Sequence, residues 1–142
     1  MARKPNLLLI MTDQHNPHIA GYAGDRVIET RALDRLAEQS TSFEAAYCQC
    51  PLCVPSRTSM LTGKWVYNCS AWSNSSVLFP EHITLPGWLA EHGYVTAAIG
   101  KMHFRGPEQM HGFQYRPYGD LIESRFPGHQ PDPPDTAVGR WN

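Results

Sequence analysis

The 142-residue chain is 42% hydrophobic, 11% aromatic and 18% charged, a composition that can bury a core and fits one ordinary globular domain, not a disordered or fibrous chain. Twelve lysines and arginines stand against 13 acidic residues, a formal charge of -1, so the cationic footprint of a nucleic-acid binder is missing and no polyanionic partner is indicated. Four cysteines, with Cys48, Cys50 and Cys53 crowded together and Cys69 apart, are too few and too clustered for a secreted disulfide scaffold, which favours reduced thiols.

Met1-Ala2-Arg3-Lys4 followed by Leu7-Leu8-Leu9-Ile10-Met11 has the outline of a signal peptide, but Thr12-Asp13 ends the apolar run too early. The run reads instead as a first strand, of the kind buried on both faces of a parallel sheet. No other stretch approaches the roughly 20 apolar residues that cross a bilayer, so the expectation is a soluble, cytoplasmic chain with no membrane partner. From Thr30, Leu33, Leu36 and Ala37 recur at helical spacing opposite Arg35, Glu38 and Gln39, which predicts a short amphipathic helix. A brief extended piece around Phe43 to Tyr47 follows.

Pro51 and Pro55 hold the cysteine-rich segment extended, with Ser56 as cap for a helix through Thr58, Met60 and Leu61 that stops at Gly63. Cys53 then sits just before a helix start. Asn68 to Ser76 is small and polar, hence loop. Thr84 caps a further helix with Pro86 in its first turn, Trp88, Leu89 and Ala90 inside and Gly93 as terminator. Tyr94 to Ile99 reads as a second buried strand that ends in Gly100-Lys101-Met102-His103. Residues 127–142 form a Pro/Gly-rich irregular tail, and the chain contains no internal repeat.

Strands alternating with helices predict an α/β fold, a mainly parallel sheet with helices on both faces, whose ligands bind at the carboxyl ends of the strands. Asp13-Gln14 and Lys101-x-His103 both fall at such ends. An aspartate beside a carboxamide offers hard oxygen ligands for calcium, magnesium or manganese; a polar pair after a strand is also, and more often, a turn or a cap. Cys53 at a helix start gains from the partial positive charge there, and Arg57 adds a fixed cation, an arrangement receptive to anions. The plainer alternative is a small buried thiol beside a surface arginine. Cys48-x-Cys50-x-x-Cys53 lacks the paired spacing of zinc ribbons and fingers. Lys101 and His103, two apart, face one way in an extended chain and could hold one anion, or lie on a solvated loop. Trp65, Tyr67 and Trp72 line a pocket or belong to the core.

Cys53-Val54-Pro55-Ser56-Arg57, continuing through Thr58-Ser59-Met60-Leu61-Thr62-Gly63-Lys64, resembles the signature of the type I sulfatases of the alkaline phosphatase superfamily. Pro5 to Ile10, Thr12-Asp13-Gln14, Leu33 to Ala37 and Gly93-Tyr94 leading to Ile99-Gly100-Lys101-Met102-His103 support the resemblance in the right order, over about Lys4 to Gly119. The resemblance implies that a separate maturation enzyme oxidises Cys53 to formylglycine, for which Cys53, Pro55 and Arg57 supply the Cys-x-Pro-x-Arg core. It implies that Asp13, Gln14 and the modified Cys53 bind a divalent metal, usually Ca2+, with Mn2+ or Mg2+ as alternatives. Arg57 would hold the formylglycine, Lys101 would contact the sulfate or the leaving oxygen, and His103 would assist the proton transfers. Asn74, at a position resembling a polar anion contact of choline-sulfatase-like members, would bind substrate, a small-molecule or carbohydrate sulfate ester.

Gln14 stands where many sulfatases have a second aspartate, which resembles the subgroup that includes phosphonate monoester hydrolases, whereas Lys101 and His103 favour sulfate monoesters. The family's second metal-binding segment comes far downstream in longer chains, so the resemblance implies that residues 1–142 are the amino-terminal part of a catalytic domain, incomplete at the carboxyl end. The readings carried forward are a sulfuric ester hydrolase, a phosphonate or phosphodiester hydrolase of the same superfamily, and an inert fragment or pseudoenzyme, with a redox or zinc module behind them.

Overall fold

The structure, a computed structural model, describes residues 4–118; the 127–142 tail lies outside the described residues. The chain divides into two compact units, one ending at Ala46 and one beginning at Tyr47.

The first unit contains a 3-10 turn, Gly21–Ala23, and helix α1, Arg31–Glu38. The amphipathic pattern from Thr30 thus gives the helix it predicts. Thr30 makes no side-chain cap bond. Its hydroxyl accepts from the Gly21 amide at 2.8 Å and donates to Asp34 Oδ1 at 2.7 Å, and Asp34 Oδ1 also accepts from the Tyr22 amide at 2.8 Å. One carboxylate on α1 therefore ties the helix to the 3-10 turn. The 7–11 run is a correction: it joins no ladder, and Leu8 and Ile10 are 85% and 81% exposed. A strand exists through its neighbour's hydrogen bonds, and the paired strands among the described residues bond each other, leaving this run no partner. Residues 43–47 likewise form no strand; the chain turns at 44–45, and Phe43 and Tyr47 are exposed.

The second unit contains helix α2, Cys53–Thr62, helix α3, Leu85–Glu91, and strands β1, Ala97–Ile99, and β2, Tyr115–Tyr118. Helix α2 begins three residues before the expected Ser56 cap. Pro55 does not stop it, because amides in a first turn have no intrahelical partner to lose. Gly63 ends the helix at φ 66°, a left-handed conformation in which a Cβ is disfavoured. Arg57, Thr58 and Ser59 are buried alongside Val54, Pro55 and Leu61. Ser59 Oγ donates to the Lys64 carbonyl just past the helix at 2.6 Å, and Thr62 Oγ1 donates to the Thr58 carbonyl one turn back at 2.7 Å. A 3-10 turn covers Val66–Cys69 and so overlaps the start of the loop expected over Asn68 to Ser76. Trp65 and Tyr67 stack on each other at 6.3 Å and are exposed, as is Trp72, so none of the three belongs to the core.

Helix α3 starts as its sequence predicts, with the Thr84 hydroxyl accepting from the Gly87 amide and Pro86 in the first turn. The same hydroxyl donates to the His111 carbonyl at 2.6 Å. At Gly112, φ is 90° and a Cβ would collide with the backbone of Gly87, so the loop carrying His111 can lie against the start of α3. Strand β1 is shorter than the expected 94–99 and alternates in burial, with Ile99 exposed. Its partner β2, Tyr-Arg-Pro-Tyr, lacks an apolar run and is not foreseen by the hydrophobic pattern. The two pair in parallel, Ala97 opposite Tyr115, with a register irregularity before Ile99 meets Tyr118. Parallel pairing requires a long crossover; here it is the loop 100–114. Phe104 from that loop joins Leu61 and Leu78 in the core, with Met102 and Phe113 packed against it. All four cysteines are free, and no helix among the described residues is long and apolar enough to cross a membrane.

Candidate active site

Phe104 of the crossover loop lies in the core and Met102 packs against it, while Lys101, His103 and Arg105 are half-buried, Lys101 bonding Cys53 and Arg105 bonding Asn74 and His103. His103 has φ 58°, a left-handed conformation uncommon for a side-chain-bearing residue and of the kind found at functional sites.

This loop and the start of α2 converge on Cys53, the first residue of the helix and half-buried. Lys101 Nζ donates to Cys53 Sγ at 3.6 Å. The buried Arg57, one turn along α2, donates through Nη1 to the Cys53 carbonyl and through Nε to the Lys101 carbonyl, each at 3.4 Å. One guanidinium thus spans the helix and the loop, and its fixed fork sets their spacing. From the third side, Asn74 Oδ1 accepts from the Val54 amide at 3.1 Å, filling one of the donor positions that a helix start leaves open. Arg105 Nε donates to the Asn74 carbonyl at 2.9 Å, and Arg105 Nη2 lies 3.2 Å from His103 Nε2.

Five residues expected from the sequence, Cys53, Arg57, Asn74, Lys101 and His103, are therefore joined by one network within the second unit. Asn74 has a task the sequence does not indicate, holding the start of α2. Arg105 is a site residue that sequence reasoning misses; the only available signal is its position two residues beyond His103. Asp13 and Gln14 lie in the first unit, on an exposed bend directly after the 7–11 run. Among the described residues no group of three or more His, Cys, Asp or Glu side chains could hold a metal, so the cysteines form no zinc cluster. The oxygen donors Asp13 and Gln14 match a hard divalent cation in kind and supply part of the six to eight ligands, roughly, that calcium takes.

Lys101 Nζ meets the half-buried Cys53 side chain at a helix start, Arg57 bonds the backbone carbonyls of both residues, and the cluster lies just past the carboxyl end of a parallel strand, the edge at which ligands of α/β proteins bind. Comparison with known proteins identifies the family. The sulfatase family model matches residues 5–138, and the chain belongs to the sulfatase family. It is 36% identical to the choline-sulfatase of Rhizobium meliloti across 97% of its own length, and 34% identical to an N-acetylglucosamine-6-O-sulfatase of Bacteroides thetaiotaomicron across 80%. A solved structure holding its substrate, D-glucosamine-2-N,6-O-disulfate, superposes with a TM-score of 0.74 at 34% identity, over 80% of this chain and 22% of that one. The fold is that of the sulfatases, alkaline-phosphatase-like α/β. The chain spans 27% and 20% of the lengths of the two relatives named.

Proposed function

We propose that these residues carry the nucleophile and the sulfate-binding cations of a sulfuric ester hydrolase acting on a small-molecule or carbohydrate sulfate. The observation that carries the reading is the contact of Lys101 Nζ with Cys53 Sγ, framed by the two Arg57 bonds. The Rhizobium relative is a choline-sulfatase and the solved relative holds a sulfated glucosamine, which supports this substrate class.

Position 53, half-buried, at a helix start and beside a cation, suits a nucleophile that carries negative charge, as hydrated formylglycine would on losing a proton. Once hydrated, that group supplies two hydroxyls on one carbon, one to attack sulfur and one whose proton loss releases sulfate. By the family resemblance, Asp13 and Gln14 would be ligands of a divalent metal, calcium first and manganese or magnesium next, which would supply charge stabilisation when bound. Arg57 fixes the backbone on both sides of the nucleophile, so the attack geometry is set before substrate arrives. Lys101 balances negative charge that develops on the sulfate oxygens or the leaving oxygen. His103 takes and returns protons of the nucleophile and the leaving group. Asn74 orders the helix start and contacts the anion.

Production with a formylglycine-generating maturation enzyme followed by mass spectrometry is expected to find an aldehyde at position 53. Thiol alone, with sulfatase activity retained, would overturn the mechanism. Aryl sulfate, phosphate diester and phosphonate substrates compared on one preparation separate this reading from the phosphonate or phosphodiester alternative, which Gln14 favours. A second reading holds that the 142 residues by themselves are inert. It is supported by the ligand count, since Asp13 and Gln14 supply only part of the roughly six to eight ligands that calcium takes. Metal-dependent sulfate release by the 142-residue chain refutes it.

A further inference from the structure

Arg105 belongs to no motif of the sequence, yet it touches two parts of the site at once. Its Nε donates to the carbonyl of Asn74, the residue that holds the Val54 amide, and its Nη2 meets His103 Nε2 at 3.2 Å. A guanidinium has five N–H donors, no acceptor, and stays charged at any ordinary pH. The contact with His103 is a hydrogen bond only if Nε2 offers a lone pair, because a proton there would set donor against donor. In a neutral imidazole one nitrogen carries the proton and the other accepts, and the partner of one nitrogen decides the state of the other. With Nε2 accepting, the ring proton resides on Nδ1.

The backbone reinforces this. The left-handed turn at His103 and the anchoring of Phe104 in the core fix where the imidazole and the arginine leave the chain, two residues apart. Lysine at 105 would present a single ammonium and lack the fork that reaches the Asn74 carbonyl and the imidazole together.

We propose that Arg105 is a positioning residue for His103. It holds the ring neutral, with Nε2 as acceptor and the proton on the buried Nδ1, and so sets the tautomer in which His103 enters sulfate-ester hydrolysis. The assignment of the tautomer stands on the geometry; its use in hydrolysis rests on the sulfatase reading.

The experiment is a long-range proton–nitrogen correlation spectrum of the 142-residue chain labelled with 15N-histidine, recorded where the rings are neutral and without any sulfate ester, with His103 assigned by its loss in His103→Gln. The expected pattern has Nε2 at the downfield position of an unprotonated nitrogen and Nδ1 at the upfield, protonated one. In Arg105→Met, which keeps length and removes every donor, the pattern is expected to reverse towards the Nε2–H form that imidazole ordinarily favours in water. A protonated Nε2 in the unsubstituted chain overturns the proposal, and this holds even if the variant fails to fold. An unchanged pattern in folded Arg105→Met overturns it too. The spectrum needs no turnover, so an absence of sulfatase activity would sink the functional reading and leave the tautomer standing.

Discussion

Helices α1 and α2 are of similar length and opposite character. Helix α1 presents an apolar stripe, Leu33, Leu36 and Ala37, yet has no buried residue; α2 mixes threonine, serine and arginine with its apolar residues and is buried over most of its length. Within their units the two are secured by different forces. The first unit is tied by hydrogen bonds to one carboxylate, Asp34, and Ala20 is its fully buried apolar residue among the described ones. The second has a core of Leu61, Leu78 and Phe104, and Arg57, Ser59 and Thr62 on α2 bond carbonyls of the helix itself, of the residue after its Gly63 cap, or of the crossover loop. An apolar stripe indicates which face can be covered, whereas burial of polar residues depends on each donor finding an acceptor.

The sharpest way to break this contrast is a pair of truncations. Leu61→Ala removes a side chain 5% exposed in the core and is expected to cost about 2 to 5 kcal/mol, the lost transfer energy plus a cavity. Leu36→Ala, on a residue 61% exposed, is expected to cost less than about 0.5 kcal/mol. Urea unfolding of the 142-residue chain followed by tryptophan fluorescence measures both. Equal costs would show that α1 is covered in solution and that the two helices do not differ as described.

Next in size is the removal of the carboxylate. Asp34→Ala withdraws an ionised acceptor from the Tyr22 amide and the Thr30 hydroxyl and is expected to loosen the 3-10 turn by about 1 to 3 kcal/mol. Hydrogen exchange at the Tyr22 and Gly21 amides reads this locally. Unchanged protection there would mean that the first unit is held by something other than the Asp34 network.

Much of the second unit is legible in the sequence because its signals are local. The Thr84 hydroxyl, Pro86 and Gly93 mark both ends of α3 by backbone chemistry that depends on no distant contact. The amphipathic period gives α1 for the same reason. The apolar run 7–11 shows the limit of such signals: its composition announces a strand, but strand formation is a property of pairs, and no ladder among the described residues includes it. Strand β2 fails in the opposite direction, since Pro117 and Arg116 disguise a strand that exists because β1 lies beside it. At the site, Cys53, Arg57, Lys101 and His103 are legible through spacing and resemblance. Arg105 is not, because its importance lies in reaching Asn74 across 31 residues of chain.

A smaller effect tests how α3 and the crossover loop support each other. Thr84→Ala deletes a helix cap and a donor to the His111 carbonyl together. The expected cost is about 0.5 to 2 kcal/mol. Thr84→Ser keeps the hydroxyl and is expected to recover most of it, measured as the shift in thermal midpoint. Failure of serine to recover stability would place the effect in the lost methyl group instead of the bond.

The smallest effect concerns pH and the same loop. His111 is buried, its Nε2 lacks a hydrogen-bond partner, its ring meets Phe104 edge-on, and Glu108 and Arg116 are the charged groups that act on it. Burial holds its pKa below the ordinary 6.5, against the opposing pull of Glu108. The unfolded chain therefore binds a proton first, and stability present above 6.5 is lost as pH falls from there towards the folded value. Glu108 adds a later step of the same sign. Its carboxylate accepts from the His111 and Met110 amides, the His111 bond chiefly holding its pKa below 4.5, so its contribution is lost as pH falls below 4.5 towards the folded value. Thermal midpoints of the 142-residue chain are expected to be flat above neutrality and to decline through about pH 6.5, with His111→Gln removing that first decline and leaving the second. A midpoint that rises on acidification through the same interval would mean that His111 gains a partner for its charged form, and the core around Phe104 would then be more polar than its packing indicates.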